Sequence, residues 1–177
     1  FNSGSQQPRL LGDALAGPLN DGPASFLDHG SIICFTKNQA VASKLGNTKS
    51  TGDHLGLYFA NKVGTEWTIP EPFEHNSKAY SVMHAAFTSD GGTLYFASDM
   101  PGGEGGMDLY ACKRKGEEWT LPENLGSRIN TEANEVFPFS SPNGMLYFSS
   151  DREGGMGALD IHSSSFDGKK WSAPVAL

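Results

Sequence analysis

Cysteine is scarce in this chain. There are two residues, Cys34 and Cys112, in 177. A disulfide scaffold or a thiolate zinc site needs more of them, at closer spacing. Both lie in strand-like apolar runs and read as buried free thiols. Long hydrophobic runs are missing too. No stretch approaches the ~18 apolar residues of a membrane helix, so no membrane span is expected in this chain. Basic residues are few, 13 Lys and Arg against 20 Asp and Glu, for a net charge of −7. Nucleic-acid binding rests on Lys and Arg neutralising phosphates, so no nucleic-acid partner is expected. No Gly-x-Ser-x-Gly nucleophile elbow occurs. The five histidines, His29, His54, His75, His84 and His162, include no pair at the i, i+4 spacing of a helical zinc site. His84 and His162 fall in strand-like segments and read as packed or surface residues.

Glycine (22) and proline (10) are abundant, as many short strands and tight turns require. The dominant feature is an internal copy. Residues 87–125, FTSDGGTLYFASDMPGGEGGMDLYACKRKGEEWTLPENL, meet residues 139–177, FSSPNGMLYFSSDREGGMGALDIHSSSFDGKKWSAPVAL, at an offset of 52 without a gap. Phe87 falls on Phe139, Asp99 on Asp151, Asp108 on Asp160 and Trp119 on Trp171. A fixed period of this size marks a repeat architecture. A third copy lies upstream. FLDHGSIICFTKN at 26–38 aligns with 87–99 at an offset of 61. Leu57-Tyr58, Trp67 and Pro70 then align at 52, which implies a nine-residue insertion between Asn38 and Leu57. That segment is polar and rich in Gly, Ser and Thr, and reads as a loop. Pro8–Gly12 matches Pro122–Gly126, so residues 1–25 read as the end of a preceding unit, with an orphan outer strand at 1–7.

Each copy holds four short strand candidates, near 83–88, 93–98, 107–113 and 117–121 in the middle one. Leu94 and Phe96 point to one face and Tyr95 to the other. Apolar residues on both faces imply a small sheet packed between two others. The fourth strand ends at Trp-x-x-Pro, where proline cannot donate to a ladder. These features predict an all-β fold, a β-propeller of four-stranded antiparallel blades. The expected organisation is a single propeller segment. Residues 1–25 end one blade and connect to the next, and blades follow at 26–73, 74–125 and 126–177. The competing reading is a β-sandwich of duplicated meanders, which the equivalent environments implied by the repeat disfavour. Propellers close with about 4–8 blades. Further blades of a longer chain, or pairing of copies to complete a ring, are therefore expected. The chain begins in mid-repeat, so an export signal would be encoded upstream.

The run Ser-Pro-Asn-Gly-Met-Leu-Tyr-Phe-Ser-Ser-Asp at 141–151, with NDGPASF at 20–26, LYFASDMPGGEGGMDLY at 94–110 and LGSRINTEANEVFPFSSPNGMLYFSSD at 125–151, resembles the WD40-like repeat of TolB-type propellers. The form here is similar to the propeller module of periplasmic OmpA-family proteins of Bacteroidetes, the group that contains PorE of the type IX secretion system. The resemblance implies a non-enzymatic interaction scaffold, periplasmic or outer-membrane-associated. Its partners would be other envelope proteins or further domains of the same polypeptide. In that group the propeller commonly sits between a tetratricopeptide region and an OmpA-like peptidoglycan-binding domain. Neither lies in these residues, so peptidoglycan binding is not carried over. The first copy departs from the pattern, with Asn38 and Gly56 where the others have aspartate.

The glycine loop from Asp99 to Asp108 is the most conspicuous motif. Asp99, Glu104 and Asp108 could ligate calcium, but the spacing misses the nonapeptide calcium repeat by one residue. In the alternative reading, the glycines allow positive φ while Asp99, Asp108, Asp151 and Asp160 accept backbone N–H groups, with Trp119 and Trp171 as repeat anchors. A sialidase-like enzyme would need clustered arginines. The four present, Arg9, Arg114, Arg128 and Arg152, sit at non-equivalent repeat positions. Whether Glu132 and Glu135 form a glycosidase pair depends on their separation in space. No catalytic residue, metal or cofactor is assigned. Propeller geometry places the long segments 39–55, 99–106, 151–158, 71–82 and 123–135 on one face. Partner docking is expected there, through Glu104, Arg128, Arg152, Glu153 and the insertion. Two other functions stay open: carbohydrate or peptidoglycan-fragment binding in the propeller mouth, and a gating propeller of a larger hydrolase, as in prolyl oligopeptidases.

Overall fold

Short runs rich in aromatic and β-branched residues, separated by glycine turns, form three antiparallel sheets. The computed structural model describes residues 11–15, 21–39 and 54–177. The orphan strand expected at 1–7 and most of the insertion expected within 39–55 lie outside them. The first sheet runs β1 (Asp21–Leu27), β2 (Ile32–Asn38), β3 (Leu55–Val63) and β4 (Glu66–Trp67), with β5 (Glu71–Pro72) also on β3. The second runs β6 (Val82–Phe87), β7 (Thr93–Ser98) and β8 (Asp108–Lys115), with β9 (Glu118–Trp119) and β10 (Glu123–Asn124) both on β8. The third runs β11 (Glu135–Ser140), β12 (Met145–Ser150), β13 (Asp160–Ser165) and β14 (Val175–Ala176). The inner strand β6 lies against β1 on one side and β11 on the other. Three meanders stacked face to face around adjoining inner strands are blades of a β-propeller.

The alternation along β7 and β8 explains the stacking. Leu94, Phe96, Tyr110 and Cys112 enter the core shared with the first blade, beside Leu57 and Phe73. Ala97 and Leu109 enter the core shared with the third, beside Val136, Leu146 and Phe148. Each fully buried leucine or phenylalanine among them contributes roughly 1.5–3 kcal/mol. Both thiols lie free in the first core, and burial pushes the Cys112 thiol up to about 12.

Each outer strand is split at its Trp-x-x-Pro. Where the ladder breaks, a hydroxyl takes over. Thr68, Thr120 and Ser172 each donate their N–H to the third strand (Asn61, Lys113 and Ser165 carbonyls). Each then accepts, through its side-chain oxygen, the N–H of that same residue at 3.0, 2.9 and 3.1 Å. The single fourth strand expected at 117–121 is thus two short pairings hinged on a hydroxyl.

The gapless register also needs correction. Phe87 pairs with Leu94, whereas Leu146, the counterpart of Leu94, pairs with Ser140. Phe87 therefore corresponds to Ser140, not Phe139. Burial agrees, since Phe87 is in the core and Phe139 is exposed. The turn after β11 is one residue shorter than the turn after β6. The chance recurrence of Phe-Ser/Thr-Ser hid this in the sequence.

The third blade leaves one apolar face open. Leu109 is 0% exposed beneath it, while Ile161 at the matching position is 54% exposed. Leu159 just before β13, Val175 on β14 and Leu177 just after it are exposed as well.

Candidate functional site

The glycine loops between second and third strands are tied down at both ends. Asp99 Oδ1 accepts the N–H of Ser81 at 2.6 Å, and Asp151 accepts the N–H of Asn134 at 2.7 Å and its side-chain amide at 3.0 Å. These bonds hold Asp151 below the usual carboxylate range. Asp108 Oδ2 accepts the N–H of Glu104 at 2.6 Å, and Asp160 Oδ2 accepts that of Met156 at 2.7 Å. Gly102 and Gly154 adopt φ of 95° and 89°, a region open to glycine at little cost. Gly103 and Gly155 lie so close to the Asp108 and Asp160 carboxylates that a Cβ would collide. The recurring aspartates and glycines are thus spent on building the loop. Glu104 contributes its backbone N–H, and its side chain is exposed. Among the described residues, no three His, Cys, Asp or Glu side chains converge as a metal site would require.

The residues expected to face a partner separate into two groups. Glu104 and Glu153 are exposed on the loops, where Met156 is 92% exposed. Arg128 is exposed on the connection into the third blade. Arg152 instead turns inward. Its Nη2 donates to Glu135 Oε1 at 3.1 Å and to the Ile129 carbonyl at 2.6 Å, and the guanidinium lies 5.2 Å from the Phe148 ring centroid. Glu135 is fully buried and also accepts from Thr131 N–H, Thr131 Oγ1 and Ser150 Oγ, each at 2.8 Å. Of the candidate pair Glu132/Glu135, one member is exposed and the other is held by Arg152.

Two asparagines with a shared role were missed. Asn76 donates to the Leu57 carbonyl at 2.8 Å and accepts its N–H at 2.9 Å. Asn130 treats Leu109 the same way, at 3.0 and 2.8 Å. One amide side chain thereby replaces a strand neighbour. The signal was present as Asn-Ser/Thr at 76–77 and 130–131, obscured because the connections differ in length.

The inner strands carry bulges that put non-glycine residues at positive φ, His84 at 58° and Phe137 at 52°. Their rings stack 3.8 Å apart, and His84 Nδ1 accepts the Phe137 N–H at 3.4 Å. They line a cleft of about 350 Å³ with Pro23, Phe26, Pro138 and Phe139. Burial lowers the His84 imidazole to about 4, so the ring is neutral near pH 7.

No family model matches the sequence. No curated protein matches it either. Solved structures do match in fold. TolB from Acinetobacter baumannii superposes with a TM-score of 0.56 at 13% identity, over 90% of this chain and 33% of that one. A putative TolB from Agrobacterium tumefaciens gives 0.55 at 16% identity, over 88% and 46%. Prolyl oligopeptidase B from Galerina marginata gives 0.51 at 8% identity, over 88% and 21%. The fold is that of TolB-type propellers and of prolyl oligopeptidase propeller domains. The chain spans less than half of either TolB.

Proposed function

We propose that this chain is a non-enzymatic protein-interaction propeller module of a bacterial cell envelope. The observation that carries the reading is the division of labour in the loops. Their recurring Asp and Gly residues are consumed by the scaffold, while Glu104, Glu153 and Met156 stand exposed on rigidly anchored loops. Such loops on a fixed frame are where binding residues concentrate. The TolB-like fold supports the envelope setting, and the OmpA-family and type IX secretion context belongs to this proposal through the sequence resemblance. The open apolar face of the third blade suits a further sheet of the same kind, because its positions match those that the second blade buries. The test is co-purification from the native envelope with a Glu104→Ala/Glu153→Ala/Met156→Ala variant. The expected result is an unchanged Tm with loss of partners recovered by the natural chain. An unchanged partner set at unchanged yield overturns it. A gating propeller of a larger hydrolase is the second reading, supported by the fold shared with prolyl oligopeptidase B. It requires that the native product react with a serine-hydrolase probe.

A further inference from the structure

Neighbouring blades leave a cleft between their outer strands, and the repeat makes two such clefts directly comparable. The first, about 430 Å³, lies between the first and second blades, with Phe59, Phe73 and Trp119 in its wall. The second, about 490 Å³, lies between the second and third, with Leu125, Phe166 and Trp171. The same hydrogen bonds build both. On one wall Phe73 N–H reaches the Leu57 carbonyl and Leu125 N–H reaches that of Leu109. On the other Thr120 N–H reaches Lys113 and Ser172 N–H reaches Ser165. The strand and turn positions of the two clefts therefore correspond at an offset of 52, whereas the connection that carries Arg128 is two residues longer than its counterpart.

Their charges are opposite. The first cleft sets Glu71, Glu74 and Glu117 against Arg114, which is itself paired with Asp28 at 3.4 Å. The second sets Lys113, Arg128, Lys169 and Lys170 against Glu123. The reversal centres on the turn before the repeat tryptophan, where Gly116-Glu117-Glu118-Trp119 becomes Gly168-Lys169-Lys170-Trp171. The glycine and tryptophan recur because the blade needs a turn and an anchor. Lys169 and Lys170 donate their backbone N–H groups to Asp167 Oδ1, at 2.9 Å each, and their side chains carry no such duty. Lys113 Nζ donates to Thr93 Oγ1 at 3.1 Å. Among the described residues, Arg128, Lys169 and Lys170 form no ion pair. On a chain of net charge −7 this cleft is a local inversion of sign. Four cations outnumber the Glu123 carboxylate in the lining and the Asp167 carboxylate in the turn, so they repel one another on balance, and an anion relieves that repulsion.

We propose that the second cleft binds a carboxylate-rich segment of a partner protein. Its acidic side chains are met by Lys169, Lys170 and Arg128, and its apolar parts lie on Phe166 and Leu125. The proposal rests on the interaction-module reading and gives that partner a chemistry and a place. A peptide fits better than one small anion because the cations are exposed and distributed from the connection at 123–128 to the turn at 167–170. Several carboxylates spaced along a chain match that layout.

The probe is a dye-labelled hexaglutamate peptide, titrated into the whole chain with anisotropy as the readout at low and at physiological salt. The chain is expected to bind it with an affinity that falls as salt rises. Lys169→Glu/Lys170→Glu should weaken binding by about tenfold or more. Lys62→Glu/Lys78→Glu, the same charge change at exposed sites outside the cleft, should leave binding within about twofold. An equal loss in both variants shows a net-charge effect and overturns the proposal. So does tighter binding of a labelled hexathymidine oligonucleotide that the cleft variant abolishes. The loop-tip variant Glu104→Ala/Glu153→Ala/Met156→Ala should still bind the peptide. If that variant loses envelope partners while the cleft variant keeps both partners and peptide, the module stands and the cleft proposal falls.

Discussion

The buried pair Glu135–Arg152 offers a test supplied by the fold itself. Ser98 and Ser150 are equivalent, pairing with Val82 and Glu135 respectively. Two residues on, Met100 and Arg152 each donate their N–H to that serine, at 3.1 and 3.2 Å. The second blade thus holds Val82 and Met100 where the third holds Glu135 and Arg152. Removing one member of a buried ion pair typically costs about 3–5 kcal/mol, because the other charge is left without compensation. In Arg152→Ala, Glu135 keeps the Thr131 and Ser150 donors at 2.8 Å. That places the loss near the lower end, about 3 kcal/mol, or roughly 6–12 °C in Tm for a chain of this size. Glu135→Val/Arg152→Met copies the apolar pair already present one blade earlier. It should lie within about 1–2 kcal/mol of the natural chain, since exchanging a buried pair for well-packed apolar residues is often neutral. Ser150 Oγ would then donate to the Asn134 carbonyl, as Ser98 Oγ donates to that of Ser81 at 2.6 Å. Guanidinium unfolding of both single variants and the double gives the coupling. A loss below about 1 kcal/mol in Arg152→Ala, or a double variant less stable than either single one, would refute the reasoning.

Two more outcomes follow from burial. Leu109→Ala should cost about 2–5 kcal/mol, because Leu109 is fully enclosed between blades, while Ile161→Ala should cost under about 1 kcal/mol at the open face; equal costs in chemical unfolding would mean that the face is covered. His84 titrates at about 4 in the folded chain against about 6.5 in the unfolded one, so the unfolded state takes up the proton first. This contribution to stability is present above pH 6.5 and is lost as pH falls towards 4. The loss is about 1–2 kcal/mol after allowing for the solvent that reaches the half-buried ring. Unfolding of His84→Gln at pH 7 and 4.5 should lack this component, and an unchanged slope would rule it out.

The 52-residue period, the alternation of Leu94, Tyr95 and Phe96, and the recurring Trp-x-x-Pro were enough to define four-stranded blades with two buried faces. Those features depend on local backbone geometry and on which side of a strand a residue occupies, both written in residue order. What stayed hidden depends on contacts between distant segments. A one-residue difference in turn length moved Phe139 out of the position held by Phe87, and only the hydrogen-bond register revealed it. Arg152 looked like a loop cation, but its length and flexibility let it fold back onto Glu135. The two-asparagine device spans connections of unequal length, so no fixed spacing marks it. The reversal from Glu117-Glu118 to Lys169-Lys170 can be read in the sequence. That Glu117 in one blade and both lysines in the next border an aromatic-walled cleft was decided by the stacking of the sheets, because a cleft exists only where two blades meet.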